Sequence, residues 1–313
     1  MHYFISISAI RRTAFASFSL AAVALSPSSV FACACGCSVF DVGTSSLLPS
    51  GPGGAVFLEW DLLDQTQNRS GGHKAPAADN EDKKIRSNFF LAGLQYMVNE
   101  KWGAMVELPV AERLFRTTAP DNPGTFTHTA LGDIRVMGVY SGFSPDMSTG
   151  IMFGLKLPTG DHSYPNFDAD VQIGSGSTDI LLGAFHRGQI TITGSWRYFA
   201  QVLWQHEIAT QSGYKPGYEL NGAVGISYNN FQVRNAGIAP ILQFLVSNRG
   251  RDGGTIGDPD ETGYTRLLVS PGVALSVDTW KLYADVEVPI AQHVHGNQLV
   301  APTAFKVILS RGF

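Results

Sequence analysis

The sequence predicts an all-β chain that closes into a twelve-stranded antiparallel transmembrane β-barrel with up-and-down topology. Three observations predict it. Segments of ten to fourteen residues alternate apolar and polar side chains, turn residues separate these segments, and long polar links alternate with short ones. Together these are the sequence features of outer-membrane barrels. An even number of strands places both ends of such a barrel on the periplasmic side.

Composition excludes two other classes of protein. The 313 residues include 34 glycines and 11% aromatic residues, yet only 15% are charged and the net charge is −4 at pH 7. No apolar run is long enough to give the several helices of a polytopic membrane protein, each of about 20 residues. The basic excess that would follow nucleic-acid phosphates is also missing, so nucleic acid is not expected as a partner.

The N-terminus has the features of an export signal. Arg11 and Arg12 precede an apolar stretch over residues 14–25, and small or aliphatic residues stand before a cleavage point after Ala32. The apolar stretch is too short to cross a bilayer, which needs about 20 residues. We therefore expect a mature chain that starts at Cys33 and lies in the outer membrane of a Gram-negative bacterium. The predicted units are a signal peptide (1–32), a cysteine-bearing periplasmic segment (33–53) and the barrel (54–313).

Twelve strands are predicted near residues 54–65, 87–98, 102–113, 129–141, 148–160, 176–187, 194–208, 217–229, 235–248, 262–276, 279–292 and 301–313. Successive side chains of a strand face opposite sides, so Val56, Leu58 and Trp60 share one face while Glu59 and Asp61 share the other. A water-soluble sandwich would alternate in the same way. A sandwich gives no reason, however, for long links to follow every odd strand.

The links also predict which end of each strand faces which side of the membrane. Long polar links are predicted at 66–86, 114–128, 161–175, 209–216, 249–261 and 293–300, and we expect them outside the cell. Aromatic residues near segment ends fit the belts that such barrels place at the two membrane surfaces. The aromatic residues assigned to these belts are Trp60, Tyr96, Trp102, Tyr140, Tyr228 and Trp280.

Three short stretches carry a family resemblance. They are residues 131–134 (Leu-Gly-Asp-Ile), 154–160 (Gly-Leu-Lys-Leu-Pro-Thr-Gly) and 174–179 (Gly-Ser-Gly-Ser-Thr-Asp). These stretches resemble landmarks of the outer-membrane family named for the MetA pathway of phenol degradation. The resemblance implies a Gram-negative outer-membrane barrel that transports aromatic or other small compounds, and it implies no catalytic residues.

The C-terminus resembles a second known signal. Phe313 ends the chain, with Phe305, Val307 and Leu309 at alternate positions before it. This pattern resembles the signal that the barrel-assembly machinery recognises. The lipid bilayer and that machinery are therefore the expected partners.

The inward face predicted from the alternation carries eight acidic and five basic side chains, which are the candidate lumen residues. They are Glu59, Asp61, Glu107, Asp133, Arg135, Lys156, Asp179, Arg197, Glu219, Arg266, Asp285, Glu287 and Lys306. Two interpretations stay open, because small barrels are filled by their own side chains whereas larger ones hold water. The charges form either a closed network of ion pairs or a narrow, passive, mildly cation-preferring channel for a small aromatic or cationic solute.

The three cysteines of the chain, Cys33, Cys35 and Cys37, stand within five residues. Thiolates favour soft metals such as Cu(I) or zinc, so the segment is a candidate metal site. Disulfide exchange with a partner, or lipidation of Cys33, would use the same residues. This gives the alternative function, a largely closed barrel that serves as a binding or scaffold module and holds a soft metal or docks a periplasmic redox partner.

No motif of a known catalytic centre is present. The sequence has no Gly-x-Ser-x-Gly elbow and no phosphate-binding glycine loop followed by lysine. His206-Glu207 lacks the second histidine of a zinc-protease motif. We therefore expect a protein that is not an enzyme.

Overall fold

The computed structural model describes residues 51–211 and 213–313, and in this part of the chain twelve antiparallel strands form a closed barrel. The predicted signal peptide (1–32) and Cys33, Cys35 and Cys37 lie outside the described residues. The barrel strands are β1 Gly53–Gln65, β2 Asp82–Met97, β3 Trp102–Thr117, β4 in two parts (Gly124–Leu131 and Arg135–Tyr140), β5 Thr149–Lys156, β6 Ser177–Gln189, β7 Trp196–Thr210, β8 Glu219–Tyr228, β9 Ala236–Arg249, β10 Tyr264–Val277, β11 Trp280–Val300 and β12 Ala304–Gly312.

Closure joins the first strand to the last. Each strand pairs with its neighbours in sequence, and β1 also pairs with β12, from Ala55 opposite Gly312 to Leu63 opposite Ala304. The backbone N–H of Gly54 donates to the carbonyl of Phe313, and the N–H of Phe313 donates back to Gly54. Closure leaves no open edge in the sheet, which is the condition for strands to cross a membrane. The predicted up-and-down topology is confirmed.

One end of the barrel carries short turns and both barrel termini. In the turn at 98–101, the side-chain oxygen of Asn99 accepts hydrogen bonds from the N–H groups of Lys101 and Trp102 at 2.9 Å each. Asp278 occupies the left-handed region, with φ of 51°, in the two-residue turn between β10 and β11. Since outer-membrane barrels place their short turns in the periplasm, we call this end periplasmic.

The opposite, outer end differs from the sequence prediction at several strand ends. Residues 82–86, predicted as part of a link, belong to β2, and residues 293–300 continue β11 instead of forming a loop. The β11 extension pairs with Gln67–Gly71, and only residues 301–303 separate β11 from β12. The hydrogen-bonded strands thus continue beyond the apolar band, where alternation of apolar and polar residues no longer predicts them.

The outer surface of the barrel is apolar, as the alternation predicts. Val56 and Leu58 on β1 are 46% and 61% exposed, whereas Asp61 on the inward face is 4% exposed. None of the described helices has the length and apolar character needed to cross a bilayer.

An aromatic belt surrounds the periplasmic rim. Trp102 packs against Tyr140 with ring centroids 4.6 Å apart, and Trp196 packs against Tyr228 at 5.0 Å. The sequence prediction was wrong for Trp60, which lies in the middle of β1 rather than near an end. The belt supports the assignment of the flanking strands to the bilayer.

Candidate functional site

The barrel interior is the candidate functional site, and its side chains form four layers along the barrel. From the periplasmic end these are a vestibule lined by cations, an apolar layer, a charged layer with a small cavity, and an outer layer closed by the β5–β6 connection. An apolar layer crosses the interior above the vestibule, so the inward face is less polar than the sequence predicted. A small barrel fills part of its interior with its own side chains, and this explains the difference.

The vestibule is a cavity of about 450 Å³ at the periplasmic mouth. Arg187 on β6, Arg197 on β7 and Lys281 on β11 line it, together with Asp146 from the turn before β5. Of these, only Arg197 was among the predicted lumen residues.

The apolar layer closes the inner end of the vestibule. Its buried members include Phe57, Met97, Phe185, Phe199 and Tyr283, each 3% exposed or less. Gly93 on β2 accepts the ring of Phe57, because a Cβ atom at Gly93 would lie 2.0 Å from the Phe57 Cζ atom. The layer is therefore packed too closely to contain an open pore in this conformation.

The charged layer begins at the seam between β1 and β12. Asp61 lies opposite Lys306 in the ladder, and the Lys306 ammonium forms ion pairs with Glu59 and with Asp61, the latter at 3.0 Å. All three side chains are 10% exposed or less. Lys306 therefore balances two buried carboxylates across the joint that closes the barrel.

A second buried network unites the three stretches that carry the family resemblance. The Lys156 ammonium lies 2.8 Å from Asp179 and 3.6 Å from Asp133. Asp133 accepts hydrogen bonds from the N–H of Gly160 and from both the N–H and the hydroxyl of Ser175. The conformation requires glycine where two of the stretches meet, since a Cβ atom at residue 174 would lie 2.3 Å from the carbonyl carbon of Gly160. These stretches thus fix the β5–β6 connection to the barrel wall.

A cavity of about 90 Å³ lies inside the charged layer, between these networks. Seven of the predicted lumen residues line it: Glu59, Asp61, Glu107, Asp133, Arg135, Lys156 and Glu219. Its walls are polar, and it has room for water.

The remaining predicted lumen residues lie outside that cavity. Asp179 contacts two residues of its lining, Lys156 and Gln205, and Arg197 lies in the vestibule. The last four are buried on the strands around the closing seam: Arg266, Asp285, Glu287 and Lys306. Asp285 accepts hydrogen bonds from the hydroxyls of Ser270 and Tyr283 at 2.6 Å each.

The outer layer is formed by the β5–β6 connection, residues 157–176, which folds inward. Arg113 is fully buried and donates hydrogen bonds to the carbonyls of Val171 and Gln172 at 2.6 and 2.9 Å. Val171 packs in an apolar cluster with Phe115 of β3. The connection therefore covers the outer half of the interior.

A histidine holds the outer part of the same connection. The Nε2 atom of His128 lies 2.8 Å from an Asp161 carboxylate oxygen, and the His128 ring stacks on Tyr164 at 4.1 Å. This hydrogen bond from His128 lowers the pKa of the Asp161 carboxyl below its ordinary value.

The predicted lumen residues did not include four cations that face inward: Arg113, Arg187, Arg249 and Lys281. Arg113 and Arg187 stand at predicted strand ends, Arg249 stands one residue beyond one, and Lys281 stands inside a predicted strand. Each has the inward parity of its strand. Glu207, also missed, is 7% exposed. With these residues and the buried Asp82 of β2 included, ten acidic side chains stand against nine basic ones, so the acidic excess on the inward face falls from three to one.

No protein-family model matches the chain, and no curated protein matches its sequence. Solved structures do match. An outer membrane channel from Pseudomonas putida F1 superposes with a TM-score of 0.65 at 12% identity, covering 87% of this chain and 100% of that one. The β-domain of the Bordetella autotransporter BrkA superposes with a TM-score of 0.53 at 11% identity, covering 84% of this chain and 100% of the other. At identities this low, the structural similarity is evidence about the fold alone.

The closed ladder, the apolar outer face, the periplasmic aromatic belt and these structural matches define the protein as an outer-membrane β-barrel. Membership of the phenol-degradation family stays a prediction, since no family model matches.

Proposed function

We propose that this barrel is a narrow, passive channel for small solutes. One observation carries the proposal: two cavities lie in the interior, and a single apolar layer separates them. Leu91 lines the charged-layer cavity and packs against this layer, while Phe199 and Ile241 belong to the layer and line the vestibule. A route between the vestibule and the charged-layer cavity therefore needs only side-chain movement in this layer, and passage from that cavity to the outer side goes past the β5–β6 connection.

Methionines supply that mobility. Four of the five methionines after Met1 lie in the apolar layer or pack against it: Met97, Met105, Met147 and Met152. Met137 lies in a neighbouring apolar cluster, against which Met105 also packs. Methionine has three rotatable bonds and fills irregular spaces without fixing one packing arrangement. A flexible apolar constriction of this kind passes water and small solutes intermittently.

The predicted lumen residues would line the route on both sides of this layer. The eight acids and five bases predicted from alternation gave a preference for cations, but the added arginines and lysine nearly balance the acids of the inward face. The inward charges therefore do not decide between an aromatic and a cationic solute, and the permeability of the channel to each has to be measured separately.

Single-channel recording in planar bilayers tests the proposal. Met105 and Met137 are direct partners on β3 and β4, so Met105→Ala with Met137→Ala shortens two side chains of one wall. We expect discrete current steps from the natural chain and larger steps from the double alanine variant. The matched control, Met105→Leu with Met137→Leu, conserves volume and should behave like the natural chain.

Folding is verified separately by heat-modifiable migration in gels. A correctly folded chain that inserts into bilayers and never gives discrete steps would contradict the proposal. Equal steps from the alanine and leucine variants would contradict the assignment of the constriction to the methionines.

Two partner assignments remain proposals from the sequence. We propose that Phe313 presents the C-terminal signal to the barrel-assembly machinery. It stacks on Tyr96 with centroids 6.3 Å apart and is 67% exposed, which leaves the ring accessible. Binding of Cu(I), zinc or a periplasmic redox partner by Cys33, Cys35 and Cys37 is testable as metal content, with cysteine-to-serine variants as the control.

A further inference from the structure

Three cations face one another across the periplasmic vestibule. Arg187 and Arg197 come from neighbouring strands, and Lys281 comes from β11 on the other side of the mouth. Each is close enough for its charge to act on at least one of the others. Within residues 51–211 and 213–313, none of the three cationic groups forms a hydrogen bond or ion pair. Like charges this close repel each other, so the arrangement favours an anion among them.

The one carboxylate of the vestibule, Asp146, also acts on Arg187, so it offsets only one of the three positive charges. Asp146 accepts a hydrogen bond from the backbone N–H of Ser148 at 3.1 Å, within its own turn. Hydrogen bonding with Ser148 also lowers the pKa of Asp146 below its ordinary value. Asp146 therefore stays ionised, and the lining keeps an excess of positive charge.

The inner end of the same cavity is apolar. Phe199, Ile241 and Ala274 line it and are 3%, 6% and 9% exposed. An inorganic anion gains nothing from these groups, whereas an apolar body buried against them gains about 25 cal/mol per Å² of surface removed from water. A volume near 450 Å³ also lies in the range of small-molecule sites, about 300–1,000 Å³.

From this combination we infer that the vestibule is a binding site for a small amphipathic organic anion. The carboxylate of such a ligand lies among Arg187, Arg197 and Lys281, and its apolar body contacts Phe199 and Ile241. The ligand reaches the site from the periplasmic side. This site goes beyond the proposed channel and does not depend on conduction.

Equilibrium dialysis of radiolabelled benzoate against the purified full-length barrel in a neutral detergent tests the inference. Arg187→Gln with Lys281→Gln removes one cation from each side of the mouth. We expect saturable benzoate binding to the natural chain and at least tenfold weaker binding to the double variant. Arg197→Gln alone should weaken binding by a smaller factor.

The matched control is Lys101→Gln, which removes an exposed cation from a turn at the same end of the barrel. It should bind benzoate like the natural chain. Benzyl alcohol, which keeps the ring without the charge, should bind weakly to every variant. Inorganic phosphate should compete poorly with benzoate.

Equal binding of benzoate by the natural chain and the folded double variant would overturn the inference, as would a lack of saturable binding to the natural chain. Competition by phosphate as strong as that by unlabelled benzoate would overturn the role of the apolar contacts. Because binding is measured without current, a barrel that does not conduct can still show it.

Discussion

Replacing Lys306 with methionine tests whether buried charge holds the barrel closed. The ammonium group pairs with Glu59 and Asp61 across the seam of β1 and β12, and its side chain is 4% exposed. Lys306→Met keeps most of the side-chain volume but leaves two carboxylates buried without a counter-charge. Breaking a buried ion pair by removing one partner costs about 3–5 kcal/mol, so we expect the free energy of unfolding to fall by about that amount.

The measurement is reversible urea unfolding of the barrel in lipid vesicles, followed by tryptophan fluorescence. The control combines Lys306→Met with Glu59→Gln and Asp61→Asn, which removes all three charges. Replacing a whole buried ion pair by neutral groups is often close to neutral, so this triple variant should recover most of the lost stability. A loss below about 1 kcal/mol for the single variant, or a triple variant no more stable than the single one, would refute the reasoning.

Three further predictions concern the outer layer and the C-terminus. Arg113→Ala leaves the carbonyls of Val171 and Gln172 without their buried donor. The free energy of unfolding should fall by about 1–3 kcal/mol, and proteolysis within residues 157–176 should accelerate. If neither quantity changes, Arg113 does not anchor the connection. The hydrogen bond from His128 lowers the pKa of Asp161. The stabilisation of the folded chain by this hydrogen bond is therefore complete above the ordinary carboxyl pKa of 3.8 and is lost as the pH falls through the lower pKa of the folded state. Hydrogen exchange in the β5–β6 connection should accelerate only in acid, and His128→Ala should abolish that pH dependence. Phe313→Ala should reduce the amount of barrel assembled in cells while leaving refolding in detergent unchanged, whereas an equal loss in both would indicate a structural role.

The number of strands and their faces could be predicted from the sequence because both follow from local rules. Val56, Leu58 and Trp60 alternate with Glu59 and Asp61, and this period of two defines a strand with one apolar face. The predicted orientation of that face toward lipid, and the closed fold, agree with the structure.

Strand ends could not be predicted in the same way. Residues 82–86 and 293–300 extend β2 and β11 beyond the apolar band, where the exposed and half-buried side chains are mostly polar. Backbone pairing does not require apolar alternation, so the pattern ends before the strand does. The same boundary error hid Arg249, which lies one residue beyond the predicted strand 235–248 and whose parity places it inside.

The filling of the interior depends on contacts between distant residues. Arg113 bonds to Val171 and Gln172, which are 58 and 59 positions away, and this fixes the β5–β6 connection inside the barrel. No local pattern reports such a contact. The expectation that the protein is not an enzyme rests on motifs alone and stays a prediction.

Tryptophan fluorescence in vesicles tests most directly which face of the sheet meets lipid. All five tryptophans lie on the outward faces of β1, β3, β7 and β11: Trp60, Trp102, Trp196, Trp204 and Trp280. We predict that lipids brominated on their acyl chains quench most of the emission, while aqueous iodide quenches little. Strong quenching by iodide with none by brominated lipid would contradict the barrel as a membrane-spanning structure.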